Sequence, residues 1–349
     1  MRPCGGFVRA TPGPLHSRIH DGIVDPGRGS LISRKSKLIL ALSTNQLLSS
    51  GTHLIGKGAV MAIGPLAVAL LRFTLASTVL LGMQRVRGPW PGIDRRDLPK
   101  ILLLGFLVVP INQGFFLFGL ARSTASHAAL LYALTPLAVL LLARRMLGEG
   151  AVLSKLAGTA VAFTGVAIIL LERGLAHERE VLVGDLMLLL AVFAWALYTV
   201  LSKPLTMRYG AMPVTTWSIA VGTAYTLPAY LIPGAIPPLP TIRPEVWAGV
   251  LYLAIGTSVI AYPLWMYALK HLEASKVAIT TNLQPILTAI FSWIFFRERF
   301  TPGFVIGAIL VLAGVTWVET RRAAAPAAPA PVGPPGAGEL ARSVREPRP

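Results

Sequence analysis

The feature that most constrains this chain is the succession of its apolar runs. A bilayer core about 30 Å thick needs about 20 apolar residues in a helix that rises 1.5 Å per residue. Ten windows of that kind follow one another, at 38–57, 63–84, 99–120, 125–146, 152–171, 184–203, 212–233, 246–268, 274–296 and 302–320. In hydrocarbon a helix satisfies its own backbone groups, so the pattern predicts an all-α integral membrane protein with ten transmembrane helices. Only 13% of the residues are charged and the mean hydropathy is +0.65, which excludes both disorder and an ordinary water-soluble domain. The first window is the most polar, broken by Ser43, Thr44, Asn45, Gln46, Ser49, Ser50, Thr52 and His53. Bare polar groups are costly in lipid, so this helix is expected to face inward.

A net charge of +17 suggests nucleic acid at first sight. The hydropathy points instead to cationic loops on one side of a membrane, with no nucleic-acid partner. With the N-terminus inside, the inner tails and loops hold 24 of the 32 Lys and Arg and the outer loops 7, with Arg72 inside a span. That split places both termini on the cytoplasmic side of the inner membrane. Residues 1–36 form a basic tail with no apolar run long enough for a signal peptide, and 323–349 an Ala/Pro-rich tail. Both read as disordered.

The chain also repeats itself. Ala125-Ser126, Pro136, Glu149, Gly158 and Gly165-Val166 recur 149 positions later as Ala274-Ser275, Pro285, Glu298, Gly307 and Gly314-Val315. Two units follow, 38–172 and 184–320, each with five spans. Five is odd, so the second unit is expected upside down relative to the first. Two inverted five-helix repeats are a transporter signature, with substrate held between the halves near the bilayer midplane. Pro136 and Pro285 are expected to kink their helices and free carbonyls toward a cavity. Gly158, Gly165, Gly307 and Gly314 fit close helix contact, as does Gly303-xxx-Gly307. Glu149 and Glu298 are expected to cap the next helix or pair with a nearby Arg, on opposite sides of the membrane.

These residues resemble the EamA-type unit of the drug/metabolite transporter superfamily. The resemblance rests on Ala125-Ser126-His127-Ala128-Ala129-Leu130-Leu131, Pro136, Leu147-Gly148-Glu149, Gly158 and Gly165-Val166, with the second copy in register. Gly51 to Lys57, Pro65 with Leu71-Arg72-Phe73, and Trp195-Ala196-Leu197-Tyr198-Thr199 to Lys203 extend it over residues 38–320. Ser50 stands where many members carry tryptophan. The resemblance implies export or exchange of small metabolites by alternating access, through a cavity lined by helices one, three, four, six, eight and nine. Members handle amino acids, nucleotide-type compounds and amphipathic cations.

On those helices polar and aromatic residues collect: Asn45, Gln46, Ser50 and His53; Asn112 and Gln113; Tyr132 and Thr135; Trp195 and Tyr198; Tyr262 and Trp265; Asn282 and Gln284. Amides inside lipid need partners, and a wet cavity supplies them. Neutral amides, hydroxyls and rings suit a small amino-acid-like or amphipathic solute. No Asp or Glu falls at the centre of a window, and Asp185 sits at an edge. His53 is therefore the titratable group left in a span near neutral pH, either packed or facing the cavity. Arg72 is the deepest charge and is expected to anchor structure through hydrogen bonds. Lys57 is expected to snorkel.

No cofactor, metal site or catalytic constellation is expected. Cys4 is the only cysteine, and neither HExxH nor GxSxG occurs. Gly51 to Gly58 nearly spells a phosphate loop but lacks its hydroxyl. The rival classes are a membrane enzyme and a non-transporting sensor. Within transporters the rival is a sugar-nucleotide or phosphate-ester exchanger, which would need several intramembrane cations. The expected partners are the lipid bilayer and a small-molecule substrate, with monomer and homodimer both open.

Overall fold

A computed structural model describes residues 26–88, 92–149, 156–175, 179–297 and 300–320. Glu298, residues 1–25 of the predicted N-terminal tail and the whole 323–349 tail lie outside them, while residues 26–36, expected as disordered tail, belong to a helix. Every regular element among the described residues is helical. The chain divides into Met1–Ile39 and Leu40–Pro349, and the packing described next belongs to the second unit.

Helix α1 spans Pro26–Ile63 and α2 spans Pro65–Val86. The third apolar window folds as α3 (Leu98–Phe106), a π-helical segment (Leu107–Gln113) and α4 (Gly114–Arg122). The fourth folds as α5 (Ala125–Tyr132) and α6 (Thr135–Leu147). Then come α7 (Leu156–Leu175), α8 (Arg179–Tyr209) and α9 (Ala211–Thr226). The eighth window gives α10 (Pro244–Leu251), a second π segment (Tyr252–Ala261) and α11 (Tyr262–His271). The ninth gives α12 (Ala274–Ala278), a 3₁₀ turn (Ile279–Asn282) and α13 (Leu283–Phe296), and α14 covers Pro302–Thr320.

Six of these segments are long and apolar enough to cross a bilayer: Pro65–Val86, Leu98–Arg122, Ala125–Leu147, Arg179–Tyr209, Pro244–His271 and Ala274–Phe295. Of the others, α1 carries the polar run, α9 has 16 residues, and the apolar stretch in α14 runs over Pro302–Gly314. Large apolar side chains such as Phe163, Leu190, Phe193, Trp293 and Phe295 lie exposed on the outside. Water would penalise so much apolar surface, and lipid does not.

The breaks in these helices recur in register. Gly64 (φ 82°) joins α1 to α2, and Gly210 (φ 93°) joins α8 to α9, each at a positive φ with extended ψ that a side chain would not tolerate and glycine does. The third and eighth windows both loosen into π turns. The fourth and ninth both break about one turn before or beside their prolines, Pro136 and Pro285, which remove a helical donor. Helices α6 and α13 end at Gly148 (φ 69°) and Arg297 (φ 49°), 149 positions apart.

Glycines set the tightest crossing. A β-carbon on Gly165 would fall 2.6 Å from the Gly307 carbonyl oxygen, and one on Gly314 would fall 2.5 Å from that of Gly158. Helices α7 and α14 thus meet backbone to backbone, and the contact is reciprocal: each glycine of one helix meets the counterpart of the other's partner. Gly119 against Gly184 and Gly105 against Gly222 bring α4 to α8 and α3 to α9 in the same way.

Candidate functional site

The irregular turns put polar groups where straight helices would bury apolar ones. A π turn widens the helix by one residue and is common at functional sites. Here the two π segments carry Asn112, Gln113, Thr257 and Ser258. They face α1, whose polar run turns inward, and the broken ninth segment. Between them lies a small cavity of about 60 Å³.

The first, third, fourth, sixth, eighth and ninth apolar windows all contribute to its wall, and α2 adds Arg72. Of the residues singled out from sequence, Asn45, His53, Asn112, Gln113, Tyr132, Trp195, Tyr262, Trp265 and Gln284 line it. Gln46 stands behind them, donating to Thr280 Oγ1 (2.7 Å) and accepting from Gln284 Nε2 (2.7 Å). Ser50 turns back on its own helix and donates to the Leu47 carbonyl at 2.9 Å. Thr135 and Tyr198 are fully buried off the cavity, and Asn282 lies outside the lining as well. Ser49 and Thr52, from the polar run of the first window, line it as expected of an inward face, and Thr281 of the ninth window lines it too; Phe116 and Thr257 line the cavity without having been singled out. A phenylalanine in an apolar run carries no signal of its own, and a threonine there usually bonds its own helix, as Thr257 also does to the Leu253 carbonyl.

Two amide chains hold the wall. Asn112 Nδ2 donates to the Ala191 carbonyl (2.7 Å) and to the Tyr132 hydroxyl (3.0 Å), while Gln113 Nε2 donates to Asn112 Oδ1 (2.6 Å). On the other side Asn45 Nδ2 donates to the Ala261 carbonyl at 2.8 Å. His53 Nε2 lies 3.3 Å from Gln284 Oε1, and its ring meets Phe116 and Tyr132 edge-on at 5.5 and 5.4 Å. Trp195 forms an aromatic wall with Tyr262 and Trp265, at centroid distances of 5.2 and 5.7 Å.

Arg72 is buried completely. Nε donates to Ser258 Oγ (3.0 Å), Nη1 to Gln113 Oε1 (2.7 Å) and Nη2 to Thr257 Oγ1 (2.8 Å). It therefore ties α2 to both π segments and borders the cavity as well.

Three further polar clusters lie at helix ends. Glu149 caps α12, not the helix that follows it in sequence: its carboxylate accepts from Ala274 N (2.9 Å), Ser275 Oγ (2.8 Å) and Lys203 Nζ (3.1 Å). Helix α12 offers free N–H groups there, and its positive end favours a carboxylate. Burial works to raise the Glu149 pKa, and the bonds from Ala274, Ser275 and Lys203 outweigh it, holding the carboxyl below the usual glutamate range. Lys57 does not simply snorkel. It donates to the Leu120, Ala121 and Ser123 carbonyls that end α4, at 2.9, 3.2 and 2.7 Å. Lys203 does the same for the Leu272 carbonyl after α11, at 3.0 Å. Asp185, an edge residue by sequence, is fully buried, because α4 and α5 cover its helix. It accepts from Ser123 Oγ and from His127 Nδ1, the latter at 3.0 Å.

A polar, aromatic-walled cavity inside a bundle with six helices long and apolar enough to cross a bilayer marks a membrane protein with an internal site for a small molecule. A family model described as the EamA-like transporter family matches the chain twice, over residues 36–171 and 182–320, and the chain belongs to that family. It is 31% identical to an uncharacterized transporter of Archaeoglobus fulgidus, over 81% of this chain and 97% of that one. It is 30% identical to a "Probable terminal-alkyne amino-acid exporter" of Streptantibioticus cattleyicolor, over 74% of this chain and 85% of that one. A solved crystal structure at 19% identity matches with a TM-score of 0.58, covering 89% of this chain and 99% of that one, a likeness of fold. The chain is thus a multi-pass membrane protein of a transporter family.

Proposed function

We propose that the protein is a secondary carrier that exports or exchanges a small amino-acid-like or amphipathic solute by alternating access. In this reading ten helices form two inverted five-helix halves in the cytoplasmic membrane, with both termini inside. The observation that carries it is the cavity, whose wall draws on both family units: Asn45 to Gln113 and Tyr132 from the first, Trp195 to Gln284 from the second.

The paired breaks support the duplication, as do the reciprocal glycines of α7 and α14 and the two carbonyl-capping lysines. A pseudo-two-fold axis makes contacts come in such pairs. The cavity's neutral amides and rings suit a small solute of mixed polarity, and the Streptantibioticus relative is named for amino-acid export. A membrane enzyme would need converging acids or a metal set. Among the described residues no group of three His, Cys, Asp or Glu could hold a metal. A sugar-nucleotide exchanger would need several cations in the wall, and Arg72 is the one arginine or lysine among the lining residues.

The test compares metabolite accumulation in cells lacking and overproducing the protein. The reading expects one amino-acid-like solute to fall inside and rise outside as protein level rises. Identical profiles, with the protein shown to be in the membrane, would overturn it.

A further inference from the structure

The cavity wall holds one charge that nothing in the wall answers. Arg72 hydrogen-bonds Ser258, Gln113 and Thr257, and the Tyr262 hydroxyl as well, all of them neutral oxygens. It enters none of the ion pairs found among the described residues. No Asp or Glu is among the lining residues. The buried acid of α8, Asp185, is already engaged by Ser123 and His127. Neutral dipoles lower the cost of burying a cation but leave its field uncancelled. Intramembrane cations of this kind usually face a partner or a substrate path.

We propose that the transported solute carries a carboxylate and that Arg72 is the group that recognises it. This rests on the carrier reading above and deepens it by naming the substrate class. The residual positive field draws a monoanionic group to the Arg72 end of the cavity and disfavours a bare organic cation. A dianionic phosphate ester finds only one guanidinium, so the match is to a carboxylate.

Gln113 shows how the pairing is held open. Its amide oxygen sits 2.7 Å from Nη1, where a carboxylate oxygen would lie in an arginine–carboxylate pair. Its own Nε2 is tethered to Asn112, so the amide holds the place of a carboxylate oxygen with a neutral one. The arginine is sealed from water in this arrangement. The incoming carboxylate therefore displaces the Gln113 oxygen, and the tether to Asn112 keeps Gln113 within reach to return. Trp195, Tyr262 and Trp265 then face the rest of the solute, and their rings favour an ammonium or an apolar side chain. A zwitterionic amino acid satisfies both ends.

The test uses the purified full-length protein in liposomes and measures exchange of labelled solutes. The probes are the standard amino acids, their decarboxylated amines, and a matched set of phosphate monoesters. The proposal expects at least one amino acid to exchange, on the order of a hundredfold faster than its amine. Gln113→Glu places a carboxylate of the same size against the guanidinium, and Arg72→Gln removes the charge. Each is expected to abolish that preference. If Arg72→Gln does not fold, the wild-type discrimination and Gln113→Glu decide. Amines or phosphate esters exchanging as fast as amino acids would overturn the proposal and leave the carrier reading standing. Exchange of no probe of any class would overturn both.

Discussion

Glu149 is where the structure makes its most exacting energetic demand. Its carboxylate closes the N-terminus of α12 through Ala274 and Ser275 and holds Lys203, with side-chain exposures of 11% for Glu149 and 15% for Lys203. Glu149→Ala removes a cap worth about 1–2 kcal/mol. It also strands a half-buried lysine, although the Leu272 carbonyl still accepts from Lys203. Breaking a fully buried pair costs about 3–5 kcal/mol, and water at the helix end lowers that figure. The sum expected is about 3 kcal/mol, or a fall in Tm of about 5 °C in detergent. Glu149→Gln keeps the volume and one acceptor, and is expected to cost about 1–2 kcal/mol. The pH dependence has a definite sign. The folded carboxyl titrates below its ordinary value, so its stabilisation is complete above the unfolded pKa of about 4.3. It is lost as pH falls through the folded value. Melting curves at pH 7 and in acid should therefore show wild type and Glu149→Gln converging at low pH. Equal Tm values for wild type and Glu149→Ala at pH 7, or a gap that does not narrow in acid, would refute the reasoning.

Other consequences are equally open to measurement. Gly165→Ala sets a methyl against the Gly307 backbone oxygen, which cannot move alone, so α7 and α14 must part; thermal melts should show a loss of about 1–3 kcal/mol. Gly58→Ala, where a β-carbon meets nothing within 4 Å, should stay within about 0.5 kcal/mol of wild type. Arg297→Gly relieves a left-handed arginine and should stabilise by about 0.5–1 kcal/mol in the same melts. His53→Gln, whose ring lies among Phe116, Tyr132 and Gln284, should leave the pH profile of transport unchanged; a flattened profile would make His53 the coupling group.

The periodicities were legible in the chain because they are local. Twenty-residue apolar runs, prolines inside them and glycines at spacings of four and seven announce helices, breaks and close crossings without knowledge of the partner. Asn45, Asn112 and Gln284 could be picked out because an amide in an apolar run needs explaining. What the sequence withheld was pairing across the fold. Arg72 meets Thr257 and Ser258, about 185 positions away, and no local pattern links them. Glu149 reaches the start of α12, 125 positions away, and no local pattern links the two. The π turns that aim Gln113 and Thr257 inward leave no mark that separates them from ordinary apolar helix. Asp185 looked like an edge residue because depth along a helix is readable from sequence, whereas burial by α4 and α5 is not.

The claim beneath the whole account is that equivalent ends of the two halves emerge on opposite faces of the membrane. Arg145 follows the fourth apolar window and Arg297 the ninth, and both are exposed. With Cys4→Ser as background, Arg145→Cys and Arg297→Cys can each be probed with a membrane-impermeant maleimide on intact cells. The account predicts that Arg297→Cys reacts at once and that Arg145→Cys reacts only after the membrane is permeabilised. Reaction of both under the same condition would contradict the antiparallel halves and the carrier built on them.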